Sequence, residues 1–324
     1  MANTCEDVRQ TPRAQSPRPF SFLSNIEVAN EQLAVHSQTM NGPAALTDLG
    51  IQELATALHH DALLRPQIAA LMGVRVEDAL HKYFNTPSRF REAMGNARAA
   101  LSGSWVLHFI MKYSSPREPA WTEGDLDIYC PEEGVAIIMS YLLDEGYYPS
   151  QTQEHRPSMM ASKGKISRLF KFDHAERGQK VDVVCIHADT PFEVVLKFWT
   201  TLVMNVVTVH DLTLLYPELT LAKQGRQPLE RIGTNGVGGL VNKYIRRGFQ
   251  VWPFSRQREN VYEPAEVRST RDNRCLVLPI AAPTGYERGP LGSTVTVWRL
   301  KGFEGTDRDK SFVHSMEVPY KDLM

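Results

Sequence analysis

Two short segments place carboxylates inside strand-like apolar patterns, and few folds accommodate that. In Asp125-Leu126-Asp127-Ile128 two acids alternate with apolar residues. On a β-strand this spacing puts both acids on one face and Leu126 and Ile128 on the other. The run Val181–Ile186 also reads as a buried strand, and it carries one acid, Asp182, among Val181, Val183 and Val184. A lone carboxylate in such a run is costly to bury without a partner. Three acids on neighbouring strands repel one another, so their natural partner is a divalent cation. Mg²⁺ or Mn²⁺ favours hard oxygen ligands of this kind and often shares them with substrate phosphates.

Upstream of the acids lies Leu101-Ser102-Gly103-Ser104, followed by Trp105–Tyr113, which reads as a short helix with Val106, Phe109 and Ile110 inward. Free amides and the positive end of a helix dipole favour an anion there, and glycine lets a phosphate approach the backbone. Taken alone, Ser-Gly-Ser before a helix is an ordinary cap. Followed by an acid pair and a third acid, it reads as a phosphate site. Gly103-Ser104 before a helix, then Asp125-Leu126-Asp127, then Val181-Asp182-Val183 on a later strand, resembles the nucleotidyltransferase fold of the DNA polymerase beta-like superfamily. The likeness spans roughly Phe90 to Leu221 and is greatest to the divergent branch found in fungal proteins, where a Trp commonly precedes the acid pair, as Trp121 does here. One departure is the loop Lys112–Thr122, which is longer than in compact members of that superfamily.

The resemblance implies a metal-dependent transfer of a nucleoside monophosphate from an NTP to a hydroxyl. Gly103 and Ser104 would bind phosphate, and Asp125, Asp127 and Asp182 would hold Mg²⁺ or Mn²⁺. In two-metal chemistry one ion is shared by Asp125 and Asp127, and a second, held by all three acids, activates the acceptor. Asp182 would then also serve as general base. The acceptor is left open among a small molecule, an RNA end and a protein hydroxyl. A second reading comes from another class: a nucleotide-binding or regulatory protein that retains the fold without turnover.

The remaining sequence fits an α/β or α+β protein. Residues 1–45 carry Pro12, Pro17, Pro19 and Pro43 among polar residues and read as a flexible tail. Residues 46–99 are helical by apolar spacing, with Thr86-Pro87 opening a helix from Ser88 to about Ala100. The nucleotidyltransferase-like core would occupy 100–222, and a mixed helical and β region 223–324. Within the core the pattern predicts a strand at Gly124–Tyr129, a helix at Glu133–Gly146 and a loop at Tyr147–His155. It then predicts a strand at Lys165–Phe172 that forms a hairpin with Lys180–Ile186, a helix over Pro191–Val207 apart from the β-branched residues near its end, and a short strand and turn at Val209–Leu221. Further on, Gly233–Gly239 reads as a hinge, Leu240–Phe249 as a basic helix, and Cys275–Ile280, Ser293–Leu300 and Phe312–Val318 as strands. Lys165, Arg168, Lys171 and Lys180 lie beside the acids and read as a solvated strand face; Lys243, Arg246 and Arg247 resemble the basic helix that second lobes place near a triphosphate or an RNA backbone, with a solvated face as the reading preferred.

Composition narrows the partners. A net charge of −1 supplies no basic field for wrapping duplex nucleic acid. No apolar run approaches the ~20 residues of a membrane span. The polar, proline-rich start is unlike a secretory signal. Cys5, Cys130, Cys185 and Cys275 form no C-x-x-C pair, and Cys130 and Cys185 read as reduced core residues. His59, His60, His155, His174 and His187 show no metal-ligand spacing. A cytoplasmic protein is expected.

Overall fold

The apolar alternation read from β-strands and the periodicity read from helices converge on one mixed sheet. In a computed structural model the described residues are 46–115, 119–154, 165–228, 231–233, 236–253, 266–284, 286, 294–300 and 312–317. The expected tail, residues 1–45, lies outside them, as do Cys5 and His155. Three helices come first: α1 (Ile51–His60), α2 (Arg65–Leu80) and α3 (Pro87–Asn96). The core follows as β1 (Ala100–Ser102), α4 (Gly103–Lys112), β2 (Leu126–Pro131), α5 (Val135–Asp144), β3 (Tyr147–Glu154), β4 (Ile166–His174) and β5 (Lys180–Ile186). After α6 (Phe192–Val195) come β6 (Asn205–Val207), β7 (Asp211–Leu214), α7 (Pro217–Leu221) and β8 (Gln224–Gln227). The chain continues through α8 (Val237–Arg246), β9 (Gln250–Pro253), β10 (Arg268–Ser269), β11 (Leu276–Pro279), β12 (Thr294–Arg299) and β13 (Phe312–Glu317).

Eight strands form the main sheet in the order β11-β7-β6-β1-β2-β5-β4-β3. Only β2 and β5 pair in parallel; every other pair in this sheet is antiparallel. This mixed sheet with flanking helices is an α/β (α+β) architecture. One sheet face is apolar: Leu126, Ile128 and Cys130 of β2, Val181, Val183 and Cys185 of β5, and Phe172 of β4 all join the principal core. That core includes Phe90 and Met94 of α3, Val106 and Ile110 of α4, and Ile138 and Leu142 of α5. On the opposite face Tyr129, Val184 and Ile186 pack with Ile166 and Val194 in a smaller cluster. This second face is therefore apolar toward the C-terminal ends of β2 and β5, and it carries the acids toward their N-terminal ends.

Several expected boundaries move for physical reasons. The helix expected to reach Ala100 stops at Asn96, because Arg98 adopts a left-handed backbone (φ 56°) and the chain turns into β1. Tyr147–Glu154 is not a loop but the outer strand, paired with β4; a register shift between Pro149 and Gln151 accommodates the proline at a sheet edge. The helix expected over Pro191–Val207 is confined to α6. It ends at Val195; Thr200 then caps a short turn by accepting a hydrogen bond from the Leu202 amide at 3.4 Å, and the β-branched Val206 and Val207, excepted from the helix by the sequence, enter β6 between β1 and β7. The glycine-rich hinge is shorter than expected: α8 already starts at Val237, after Gly236 at φ 86°. The hairpin of β4 and β5 and the three late strands stand where the sequence places them. One of those, β11, pairs with β7 and so completes the main sheet. Gly146, at φ 91°, follows α5 as a C-cap glycine does.

Candidate functional site

The strand register brings the acids together. Ser102 of β1 lies opposite Asp127 of β2, Asp127 lies beside Asp182 of β5, and Asp182 lies opposite Lys171 of β4. Adjacent strands run about 4.8 Å apart, so Asp127 and Asp182 are direct neighbours on one face. Asp125 immediately precedes β2, two positions from Asp127, and so is not within the strand as expected. It lines a cavity of about 250 Å³ together with Ser150, Lys171, Asp173, Lys180 and Asp182. Lys171 Nζ lies 2.7 Å from Asp182 Oδ2, and Lys180 Nζ lies 3.4 Å from Asp173 Oδ1. Thus Lys171 and Lys180 are not merely a solvated face; they are the counter-ions of the β4–β5 acids. The other two basic residues of that group point elsewhere, Lys165 to Glu193 at 2.8 Å and Arg168 to Glu132 at 3.0 Å.

Electrostatics follow the same pattern. Burial, then the charges of Asp182 and Asp125, push the Asp127 carboxyl up to about 8, against the pull of Lys243 and Lys171. Burial raises Asp182 as well, and its hydrogen bond from Lys171 offsets only part of that rise. Burial opposes the ammonium form of Lys171, yet Asp182 outweighs it and the lysine stands above its ordinary range. Asp127 of β2 thus sits in a region that favours an added positive charge.

Gly103 opens α4 beside this row. It has φ +76°, and a Cβ there would stand 2.3 Å from Asp127 Oδ2. Both the backbone angle and the close approach of the carboxylate require glycine at this position. Ser102 is fully buried and donates to the carbonyl of Asn205 at 2.7 Å, making no side-chain cap on the helix. Ser104 is half-buried in the first turn. The predicted phosphate residues and Asp127 therefore meet at the positive end of α4.

Two further contributors come from outside the acid strands. Lys243 of α8 is exposed; desolvation and Arg247 lower its pKa while Asp125 and Asp127 oppose them, so its ammonium shares the field of the acids. The second is a clamp on the loop before Asp125. Glu123 receives Lys82 Nζ at 3.2 Å and lies 3.3 Å from His108 Nδ1. Trp121 packs edge-on to His108 at 4.8 Å, with the Arg247 guanidinium 4.1 Å over its ring. Arg247, directly after α8, thus ties that helix to the loop before Asp125 through Trp121. No motif or spacing signals that contact, because its partners lie far apart in the chain. Cys130 and Cys185 are buried core residues as expected, and His174 is structural, its Nε2 3.1 Å from the Glu145 carbonyl.

The donor set suits a hard divalent cation in kind, being carboxylate oxygens beside a glycine-opened helix end. Among the described residues, no three His, Cys, Asp or Glu side chains converge on one metal position. Asp182 faces Lys171 instead, and Asp127 abuts Gly103. Among the described residues, no helix is long and apolar enough to cross a membrane. No family model, no curated protein and no solved structure matches the chain, so its function has to be read from the site itself.

Proposed function

We propose that this chain is a metal-dependent nucleotidyltransferase, moving a nucleoside monophosphate from an NTP to a hydroxyl acceptor. The observation that carries the reading is the junction of β1 and α4. A glycine held at φ +76° abuts Asp127, whose strand neighbour is the third acid, Asp182. The amide end of α4 at Gly103 and Ser104 would receive the phosphates, with Lys243 offering a further positive charge. Mg²⁺ or Mn²⁺ at Asp125, Asp127 and Asp182, whose carboxylates would have to draw together to hold it, would supply charge neutralisation for phosphoryl transfer. The acceptor hydroxyl attacks the α-phosphorus as the bond to pyrophosphate breaks. Asp182 takes the hydroxyl proton, and Lys171, bonded at 2.7 Å, favours the ionised carboxylate that a base requires.

The Lys171–Asp182 pair also favours a second reading, a nucleotide-binding or regulatory protein in which the lysine has silenced the third acid. One experiment separates the two. Binding of labelled ATP, GTP, CTP and UTP is measured with and without Mg²⁺, on the wild type and on Asp125→Asn/Asp127→Asn. The transferase reading expects Mg²⁺-dependent binding of at least one nucleotide, lost in the folded double variant, with pyrophosphate released once an acceptor is supplied. Metal-independent binding that survives the double substitution supports the regulatory protein. No metal-dependent binding of any nucleotide refutes the transferase.

A further inference from the structure

The chain as a whole is close to neutral, with 36 basic and 37 acidic residues, but the charge is unevenly placed. Between Lys223 and Pro253 six residues are basic and only Glu230 is acidic. One of the six, Arg231, is buried and donates to the carbonyl of Lys197 at 2.6 Å. The other five are Lys223, Arg226, Lys243, Arg246 and Arg247, and among the described residues none of them takes part in an ion pair. The backbone gathers them. Arg247 follows α8, the chain turns at Gly248, and β9 begins at Gln250, whose amide donates to the carbonyl of Lys223 at 2.9 Å. β8 and β9 pair in parallel with Arg226 beside Trp252. Gly225 faces inward, since a Cβ there would stand 2.6 Å from Leu202 Cγ and Thr200 Oγ1, so Arg226 at the next position faces out. The Arg226 guanidinium lies 5.1 Å from the centre of the Trp252 ring, and that tryptophan keeps 39% of its surface exposed. On α8, Lys243 and Arg246 are exposed while Tyr244 is turned into the core.

We propose that the outer face of β8 and β9, continued by α8, binds a single-stranded polynucleotide. Cations without carboxylate partners are available to phosphates, whose binding releases condensed counterions. An exposed indole beside a guanidinium offers an unpaired base a surface on which to stack. A duplex fits less well, because its bases are already stacked on one another. The Arg226–Trp252 pair also favours a nucleic acid over an anionic lipid headgroup, which has no ring to stack. The near-neutral charge of the whole chain conceals this face, because the acids that balance it lie elsewhere in the sequence. The inference is carried by the surface and does not depend on the transferase reading. Where that reading also holds, Lys243, in the field of Asp125 and Asp127, brings the strand toward the acids, and its terminal hydroxyl is the acceptor.

The test is fluorescence anisotropy of labelled oligouridylate and oligothymidylate of about 15 nucleotides, added to the full chain over a salt series. Vesicles containing phosphatidylserine serve as a third probe, and every variant is checked for folding by circular dichroism. Five phosphate contacts give log Kobs a slope of about −3.5 on log salt. Lys243→Gln/Arg246→Gln, at two exposed positions, is expected to bring the slope to about −2. Trp252→Ala is expected to bind about fivefold or more weakly with the slope kept. Arg65→Gln/Arg271→Gln removes the same charge from exposed positions elsewhere and is expected to bind as wild type does. Binding of either strand with this pattern supports the inference, and the tighter of the two names the sugar preferred. It is overturned if neither strand binds at low salt, if Arg65→Gln/Arg271→Gln weakens binding as much, or if Trp252→Ala has no effect. Vesicle binding in place of both strands assigns the face to lipid and overturns it too. A chain that binds the strands but no nucleotide in a Mg²⁺-dependent way loses the transferase reading and keeps this one.

Discussion

Gly103 provides a sharp test of how the helix end and the acid row are joined. Replacing it with alanine adds a Cβ at φ +76°, 2.3 Å from Asp127 Oδ2. A left-handed backbone costs a residue with a Cβ about 1–2 kcal/mol, and reduced freedom of the unfolded chain returns about 0.4–1 kcal/mol of this. Gly178, in the β4–β5 turn, isolates that backbone contribution: its φ is +62°, and a Cβ added there would meet nothing within 4 Å. Gly178→Ala should therefore lose about 1 kcal/mol. At Gly103 the Asp127 carboxylate must also retreat from 2.3 Å to ordinary contact at 3.4 Å or beyond. Overpacking of that kind adds about 1–3 kcal/mol. Gly103→Ala should thus lose about 2–4 kcal/mol in urea unfolding at pH 7, with unchanged m-value. Mg²⁺ should stabilise wild type and Gly178→Ala by mass action and fail to stabilise Gly103→Ala. If the two alanine variants lose the same stability and respond equally to Mg²⁺, Gly103 is an ordinary turn glycine and the coupling to Asp127 is refuted.

Two further predictions test the site and its frame. The Asp127 carboxyl stands at about 8 in the folded protein, against about 3.9 when unfolded, so the native state holds the extra proton. Its contribution to stability is complete below the unfolded value and is lost as pH rises through about 8. Urea midpoints should accordingly fall between about pH 5 and pH 8 for wild type, and fall less for Asp127→Asn; parallel pH profiles would count against the buried acid pair. Arg91 tests the frame behind the site. Its buried guanidinium meets Glu77 Oε1 at 2.7 Å and donates to the carbonyls of Val209 and Ala281. Arg91→Met should lose about 2–3 kcal/mol by leaving these acceptors unpaired, and a loss under about 1 kcal/mol by chemical denaturation would show that they find other partners.

The sequence was most legible where apolar period and burial coincide. β5 reads directly from Lys180–Ile186 because it is buried along every residue but the first, and its partner β4 differs by only a residue or two. β3 gave no such signal: Tyr147 is buried, but Tyr148, Pro149 and Ser150 are exposed on an edge strand, where polar residues are tolerated. β6 is three residues long and takes its strand character from lying between β1 and β7, which no local pattern records. For the site, residue types and chain order indicated Gly103, Asp127 and Asp182 as one cluster, and the register places them so. The salt bridge of Lys171 to Asp182 depends on which residues fall opposite each other across a hairpin, and a shift of one residue would abolish it. Lys243 was legible only as one of three cations on a basic helix, since that helix lies more than a hundred residues downstream of Asp127.

That dependence on register explains how like charges are kept side by side. Asp127 and Asp182 repel, and the sheet would relieve the repulsion if β2 or β5 slipped by one position. Such a slip would turn every side chain of the strand to the other face. Leu126, Ile128 and Cys130, or Val181, Val183 and Cys185, all at most 1% exposed, would leave the principal core, and the acids would enter it. Burying each of those apolar side chains is worth about 1.5–3 kcal/mol for the larger ones, so moving three of them outweighs a carboxylate repulsion that Lys171 and Lys243 already moderate. The smaller cluster adds to the restraint, since Tyr129, Val184 and Ile186 pin the same strands from the acidic face. The acid pair therefore persists because two apolar clusters fix the strands that carry it.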